Sequence, residues 1–522
     1  MRAAFFICEP YNKKNMHIYS TASIKEIDRL TVQYEPISSY NLMERAAARL
    51  THALRLDYAH CNHFVLFAGA GNNGGDGLVM ARRLLEVGCA VDVWMVTREK
   101  LSLDCSTALE RLREAFPSCA VRLTAEGEAP AVGPHTVVID ALFGSGLNRP
   151  LGGEYARVVR LINSLACPRV AVDIPSGLMG EDNGPASDAA TIVRADTTLT
   201  LQFPKLSMLL DENKKYVGRM CLLDIGLSLR AMSETAPITH TIEAEEVRAL
   251  LSPRCATAHK GNFGRALLVA GSRGMAGASV LAARAAMRSG LGLLTVHLPA
   301  CNNAIVQTAV PEAMTSIDGD DNAFTAAPDT ARYTAVGVGP GIGRSAETAE
   351  ALHALIANCR VPMVIDADAL NILADNKEWL DSVPEGSVIT PHRGEFARLA
   401  GSTADGGDAL TRAREFAVRH KICVVLKGAC TIIVNGDGSY CLNTRGNAGM
   451  ATGGSGDALT GIILALLAGG YRAYDAARVA VYVHSVAGDE AAARVGQTSL
   501  VAGDIIEYLP VAWRSIENIS EK

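Results

Sequence analysis

The sequence predicts an α/β protein of two domains, each built on a largely parallel sheet. Three observations lead there. Short β-rich runs alternate with helical ones through most of the chain, and glycine-containing loops follow them, which is the pattern of βαβ units. At 522 residues the chain is too long for one ordinary core. A polar, mixed interval over 229–240, LRAMSETAPITH, separates stretches of domain length. The expected division is therefore a first domain over 1–228, a linker over 229–240 and a second domain over 241–522.

In the first domain, strand-like runs occupy His63–Ala68, Ala90–Val96, Thr136–Asp140 and Arg169–Asp173, with helical patterns such as Leu78–Val87 and Tyr155–Leu165 between them. The second series runs through Arg265–Ala270, Leu293–Leu298, Tyr333–Val338, Val361–Asp366, Ser387–Thr390 and Ile422–Lys427, and Cys423–Asn443 has hairpin character. In such sheets the loops at strand C-termini carry the chemistry.

Composition narrows the function. Hydrophobic residues at 49% and charged residues at 20% describe a globular protein. A net charge of −6 gives no reason to expect nucleic acid or an anionic membrane as partner, so phosphate binding must come from loops and helix ends. The 13 cysteines form no CxxC pair and the 12 histidines no HExxH, so neither a zinc cluster nor a thioredoxin-type site is indicated. MRAAFFICEP has too short an apolar run for a signal peptide, and the run within Ala458–Ala468 is too short to span a membrane. A cytoplasmic protein with reduced thiols is expected, without a membrane partner.

The most informative stretch is NAGMATGGSGD, Asn447–Asp457, which runs into the apolar segment Ala458–Leu467. Glycines let the backbone wrap phosphate oxygens, and the following helix turns its positive end toward them. Asp457 at the mouth of an anion site is unfavourable unless it accepts a proton or holds a metal; a plain N-cap is the alternative. In the first domain, the loop Gly69–Gly77 has similar logic, but Asn72, Asn73 and Asp76 lie inside it and break the usual dinucleotide register. Asn73, Asp140 and Ser176 offer oxygen ligands suited to a hard cation. Asp173, close to Ser176, is placed to act as a general acid or base.

NNGGDG, FGSGLNRP and VDIPSGL, in that order, resemble the YjeF N-terminal domain family, which epimerises hydrated nicotinamide nucleotides. The resemblance covers about Ile24 to Leu227. It implies a Rossmann-like doubly wound sheet in which Asn72, Asn73, Gly74, Gly75 and Asp76, then Gly144, Ser145, Gly146, Leu147, Asn148, Arg149 and Pro150, with Tyr155 and Asp173, bind the hydrated dinucleotide. It also implies a potassium ion held by Asn73, Asp140 and Ser176.

KGNFG, GPGIG, DADALN, TPHRGE and NAGMATGGSGD, between about Lys260 and Asp504, resemble the ribokinase-like superfamily. Within it they are similar to the YjeF C-terminal domain, a nucleotide-dependent NAD(P)H-hydrate dehydratase. That resemblance implies a ribokinase-like α/β/α domain. Lys427, Gly428, Ala429, Cys430, Thr431 and Gly456 would contact the AMP portion of the nucleotide, and Ala278, Gly341, His392 and Asp457 the hydrated nicotinamide. Taken singly, Asp366 and Asp368 could cap helices, Lys427 could be solvated, and His392 could be an ordinary surface histidine.

Together the two halves resemble the bifunctional NAD(P)H-hydrate repair family. The resemblance implies NADHX and NADPHX as substrates, ADP as co-substrate, Mg²⁺ in the dehydratase, K⁺ in the epimerase and a homo-oligomeric assembly. Asp457 and Asp173 are the expected catalytic residues. A small-molecule kinase fused to a nucleotide-binding module is the alternative, and a dehydrogenase is disfavoured by the off-register glycines.

Overall fold

The computed structural model describes residues 6–7, 16–96, 100–124, 128–181, 189–401 and 406–517. The chain divides into two compact units between Ile238 and Thr239. The interval expected as a linker carries a helix, Leu229–Glu234, whose Ala231 is buried against the first unit's N-terminal helices.

Among the described residues, the first unit holds an eight-stranded sheet. Its strands are β1 (Phe6–Ile7), β2 (His63–Ala68), β3 (Ala90–Met95), β4 (Val121–Leu123), β5 (Thr136–Ala141), β6 (Arg169–Val172), β7 (Thr197–Leu201) and β8 (Arg219–Leu223). They lie in the order β1-β8-β7-β6-β5-β2-β3-β4, with every pairing parallel. The chain leaves β2 toward one edge and returns at β5 toward the other. The crevice at the C-terminal ends of β2 and β5 is thus a topological switch point, where α/β sheets bind ligands.

The segment read as a loop over Gly69–Gly77 is mostly helix, because the helix after β2 begins at Asn72 and runs Asn72–Glu86. Tertiary packing overrides the poor helix propensity of its glycines. A Cβ on Gly74 would lie 2.0 Å from the Gly69 carbonyl oxygen, so only glycine lets the helix start this close to the strand.

The second unit holds a nine-stranded sheet among its described residues. Continuing the numbering, its strands are β9 (Arg265–Val269), β10 (Leu293–Leu298), β11 (Met314–Ile317), β12 (Ala335–Val338), β13 (Met363–Ile365), β14 (Val388–Ile389), β15 (Cys423–Leu426), β16 (Thr431–Val434) and β17 (Tyr440–Asn443). The order is β11-β10-β9-β12-β13-β14-β15-β16-β17. Pairings are parallel through β15, and β15, β16 and β17 form an antiparallel meander, matching the hairpin character read in the sequence. The switch point here lies between β9 and β12.

The helix Ala276–Arg288 starts earlier than the Val280 expected from the sequence. It packs on Ser455–Ala468 so closely that a Cβ on Gly461 would meet the Ala282 carbonyl oxygen at 2.1 Å. Ser455–Ala468 is buried on nearly all sides, which explains its lack of an amphipathic stripe. No helix among the described residues is long and apolar enough to cross a membrane.

Candidate active sites

In the first unit, Asp140 is the penultimate residue of β5 and is fully buried. Ser176 donates to it through Oγ at 2.6 Å and through its backbone N–H at 2.8 Å, and Leu142 N–H adds a third bond at 3.3 Å. Phe143 N–H donates to Ser176 Oγ at 2.9 Å, which ties the next loop to the same point. Burial pushes Asp140 up to about 6, even against these hydrogen bonds. The side chain of Asn73 lies against Gly144, its Oδ1 being 3.3 Å from where a Cβ on that glycine would sit. Its Nδ2 is buried without a partner. Asn73 thus packs on the residue next to Phe143, whose N–H binds Ser176, and the carboxylate, hydroxyl and amide oxygens of Asp140, Ser176 and Asn73 are donor types that fit a hard cation such as K⁺.

The loop from Gly144 turns at once, with Leu147 N–H donating to the Gly144 carbonyl at 3.4 Å. Ser145 and Leu147 are half-buried, whereas Gly146, Asn148, Arg149 and Pro150 are exposed on its outer side. Tyr155 packs edge-on against Phe143 at 4.6 Å. Asn72 accepts from Ser102 Oγ at 2.7 Å, while Gly74, Gly75 and Asp76 are buried in the helix start.

Asp173 follows β6 in the left-handed backbone region, at φ 68°. A non-glycine residue there costs about 1–3 kcal/mol and is kept where surrounding structure holds it. Its Oδ1 accepts from Leu201 N–H at 3.2 Å and from the ammonium of Lys205. Lys205 is 1% exposed. Burial, then the charge of Asp173, raises Asp28 to about 7, with Lys205 opposing. Burial and the charges of Asp173, Asp28 and Asp104 hold Asp76 well above the ordinary carboxylate range. Sequence reasoning missed Lys205 and Asp28. The only available signal was a lysine just after β7, a strand absent from the sequence reading.

In the second unit, Asp457 is the third residue of Ser455–Ala468, and Gly454, at φ 87°, stands at the N-cap. Asp457 is therefore not a cap. Beside it, Lys427 donates to Asp366 Oδ1 at 2.8 Å and Thr460 donates to Asp366 Oδ2 at 2.8 Å. The helix comes up against this pair at Gly456, where a Cβ would sit 3.3 Å from Lys427 Nζ and 3.5 Å from Asp366 Oδ2. Burial alone would raise Asp366, yet Lys427 and Thr460 hold it below its usual range. Burial opposes the Lys427 charge, but Asp366 raises it above the usual lysine range. Asp457 is pushed up to about 6 by burial and then by Asp366, with Asp368 adding to the rise and Lys427 opposing it.

Lys427 is thus paired rather than solvated. Asp366 occupies an N-cap position but makes no capping bond. Asp368 accepts from Gly343 N–H at 3.0 Å and so holds the GPGIG loop. In that loop Gly341, at φ 63°, faces Ala278, whose Cβ lies 3.1 Å from the glycine's would-be Cβ. Ser272 Oγ donates to the Gly341 carbonyl at 2.8 Å. These small residues bring the two loops of the switch point together.

His392 does cap a helix: its Nδ1 accepts from Gly394 and Glu395 N–H at 3.0 and 3.3 Å. Its backbone pairs with that of Lys427. With Nδ1 accepting, the ring proton sits on Nε2. Gly428 and Ala429 are exposed in the turn between β15 and β16, the Cys430 side chain is buried, and Thr431 Oγ1 donates to the Gly428 carbonyl at 3.1 Å. Beneath the helix start, His484 lies 3.4 Å from Ser455 Oγ; burial lowers its pKa to about 4, so it is neutral. A cavity of about 1200 Å³ opens at the opposite, N-terminal edge of this sheet, lined by Arg254, His259, Phe263, Arg288, Tyr471 and Trp513, and by none of the expected site residues.

Carboxylate-bearing glycine loops at two strand-end crevices, one beside a Lys–Asp pair at a helix N-terminus, define a two-unit α/β enzyme. The family described as NAD(P)H-hydrate dehydratase matches residues 266–511, and that described as YjeF-related protein N-terminus matches 39–207. The chain is 35% identical to the bifunctional NAD(P)H-hydrate repair enzyme Nnr of Moorella thermoacetica, over 96% of this chain and 97% of that one. It is also 35% identical to the Nnr of Escherichia coli, over 94% and 93%. The crystal structure of the ADP/ATP-dependent NAD(P)H-hydrate dehydratase of Bacillus subtilis, co-crystallised with ATP and Mg²⁺, is 32% identical over 52% of this chain and 97% of that chain, with a TM-score of 0.47. The chain belongs to the family of bifunctional NAD(P)H-hydrate repair enzymes.

Proposed function

We propose that the second unit dehydrates the S-epimer of hydrated NADH and NADPH with ADP as co-substrate, and that the first unit interconverts the R- and S-epimers. The observation that carries the dehydratase reading is Asp457 in the first turn of a glycine-entered helix that abuts Lys427. Hydroxide is a poor leaving group, so nucleotide coupling makes chemical sense. Asp457 takes the proton of the C6 hydroxyl, and the hydroxyl oxygen attacks the β-phosphorus of ADP as its bond to AMP breaks and AMP leaves. The phosphorylated oxygen then departs with its electron pair, pushed by the ring nitrogen, and loss of a proton from C5 restores the reduced ring.

The chain's own residues bind and orient the reactants. Lys427 and the helix N-terminus attract the polyphosphate, and the N–H groups of the glycine loop stabilise charge on the transferring group. The turn Lys427–Thr431 and Gly456 hold the AMP portion, while Ala278, Gly341 and His392 line the nicotinamide side. Mg²⁺ would come with the nucleotide, where it would neutralise phosphate charge.

In the first unit, Asp173 moves the proton as the hydrated ring opens and recloses at C6. The NNGGD and GSGLNRP segments and Tyr155 hold the dinucleotide. Asn73, Asp140 and Ser176 would hold K⁺, whose charge would order these loops around the substrate. Separated R- and S-hydrates incubated with ADP or ATP, and followed by chromatography, test both halves. With ADP both epimers should disappear, R by way of S, with recovery of reduced-ring absorbance and release of phosphate; without nucleotide R and S should only interconvert. A stable phosphorylated product would instead identify a small-molecule kinase.

A further inference from the structure

Three acidic side chains from different elements act on one another electrostatically in the first unit: the half-buried Asp28 on the helix Thr21–Tyr34, and the buried Asp76 on Asn72–Glu86 and Asp173 after β6. Each of the first two feels the charge of Asp173, and Asp104 adds to the field at Asp76. A cation placed against one of several carboxyl groups favours the charged form of that one.

One cation is built into the cluster. The Lys205 ammonium donates to Asp173 Oδ1, to Thr200 Oγ1 at 3.0 Å and to the Phe203 carbonyl at 3.2 Å. These three acceptors match the three N–H bonds of an ammonium. A lysine is almost never fully buried unless paired, and this one is paired with the acid held in a left-handed backbone conformation rather than with its neighbours.

We propose that Lys205 is a positioning residue of the epimerase site, whose clamped ammonium makes Asp173 the anionic member of the three and leaves its second oxygen for the substrate proton. The proposal rests on the reading of Asp173 as the proton-transferring group. Lys205 itself, with all its hydrogens engaged, touches no reacting atom. Its role is to hold Asp173 in place as the carboxylate.

The test uses the full chain carrying Lys205→Met or Lys205→Arg, with R/S interconversion followed by chromatography across pH. For Lys205→Met, kcat should fall about 100-fold while KM for the hydrate stays within about 3-fold. The acid limb of the residual rate should move to higher pH, because Asp173 then lacks the cation that favours its carboxylate form. Lys205→Arg should restore most of the limb position. ADP-dependent dehydration of the S-hydrate, carried by the other unit, should be unchanged. A wild-type rate and limb in Lys205→Met would overturn the proposal, as would equal loss of hydrate binding in both variants. Should Lys205→Met fail to fold, Thr200→Val, which removes one acceptor of the same ammonium, is expected to move the limb upward by less, and an unmoved limb overturns the proposal. Asp173→Asn separates the two readings. If it still epimerises, the Asp173 reading itself is wrong; if it is inactive while Lys205→Met behaves as wild type, only the role of Lys205 is.

Discussion

Lys427 and Asp366, 61 positions apart in the chain, form an ion pair at 2.8 Å that stands directly against the first turn of the helix bearing Asp457. The pair does two things at once. It keeps a cation at the helix N-terminus, and it leaves Asp457 beside a fixed negative charge that discourages its ionisation.

Asp457→Asn removes the group expected to take the C6 hydroxyl proton. Dehydration of the S-hydrate should fall by about 10²–10⁴-fold, with R/S interconversion unchanged. Near wild-type dehydration, measured as reduced-ring absorbance with ADP, would rule this role out.

The dehydratase should lose activity on the acid side of about pH 6, because Asp457 is raised to about 6 by burial and by Asp366 and acts as a base only when ionised. The rate should rise through that range and level off above it. His484, at about 4, is neutral throughout this window and should not contribute. A kcat profile flat between pH 5 and pH 7 would contradict the assignment.

Asp366→Ala would leave the Lys427 ammonium half-buried without its carboxylate. Breaking a buried pair in this way costs about 3–5 kcal/mol, less whatever solvent reaches Lys427, whose side chain is 23% exposed. Denaturant unfolding should show the loss, and the KM for ADP should rise. Unchanged stability together with unchanged ADP affinity would mean that the pair neither supports the fold nor organises the nucleotide site.

The K⁺ site proposed for the first unit should weaken in Ser176→Ala, which deletes one oxygen and frees Asp140 from its 2.6 Å bond. Epimerase activity should then need more K⁺ for half-saturation, read by titrating K⁺ into a sodium-free buffer. An unshifted K⁺ response would remove Ser176 from the ligand set.

Much of this architecture was legible from local pattern. Apolar runs with turn residues between them located most of the strands near both sites, since a fully buried parallel strand needs a continuous apolar stretch. Glycines marked the strand-end loops because close backbone approach excludes a side chain, as at Gly341 against Ala278. Helix starts were misplaced at Asn72 and Ala276, where packing against the sheet outweighs weak local propensity.

The sequence by itself determined the alternation of strands and helices, the glycine loops and the chemistry their residue types allow. Only the tertiary structure decided which side chains meet. Lys205 reaches Asp173 across 32 positions, and Thr460 reaches Asp366 across 94. No local signal records such distances, because strand order sets them. Charge on a carboxyl depends on that same assembly: a lone aspartate in water ionises near pH 4, whereas here burial and neighbouring charges hold Asp28 and Asp457 toward neutrality and keep Asp366 ionised.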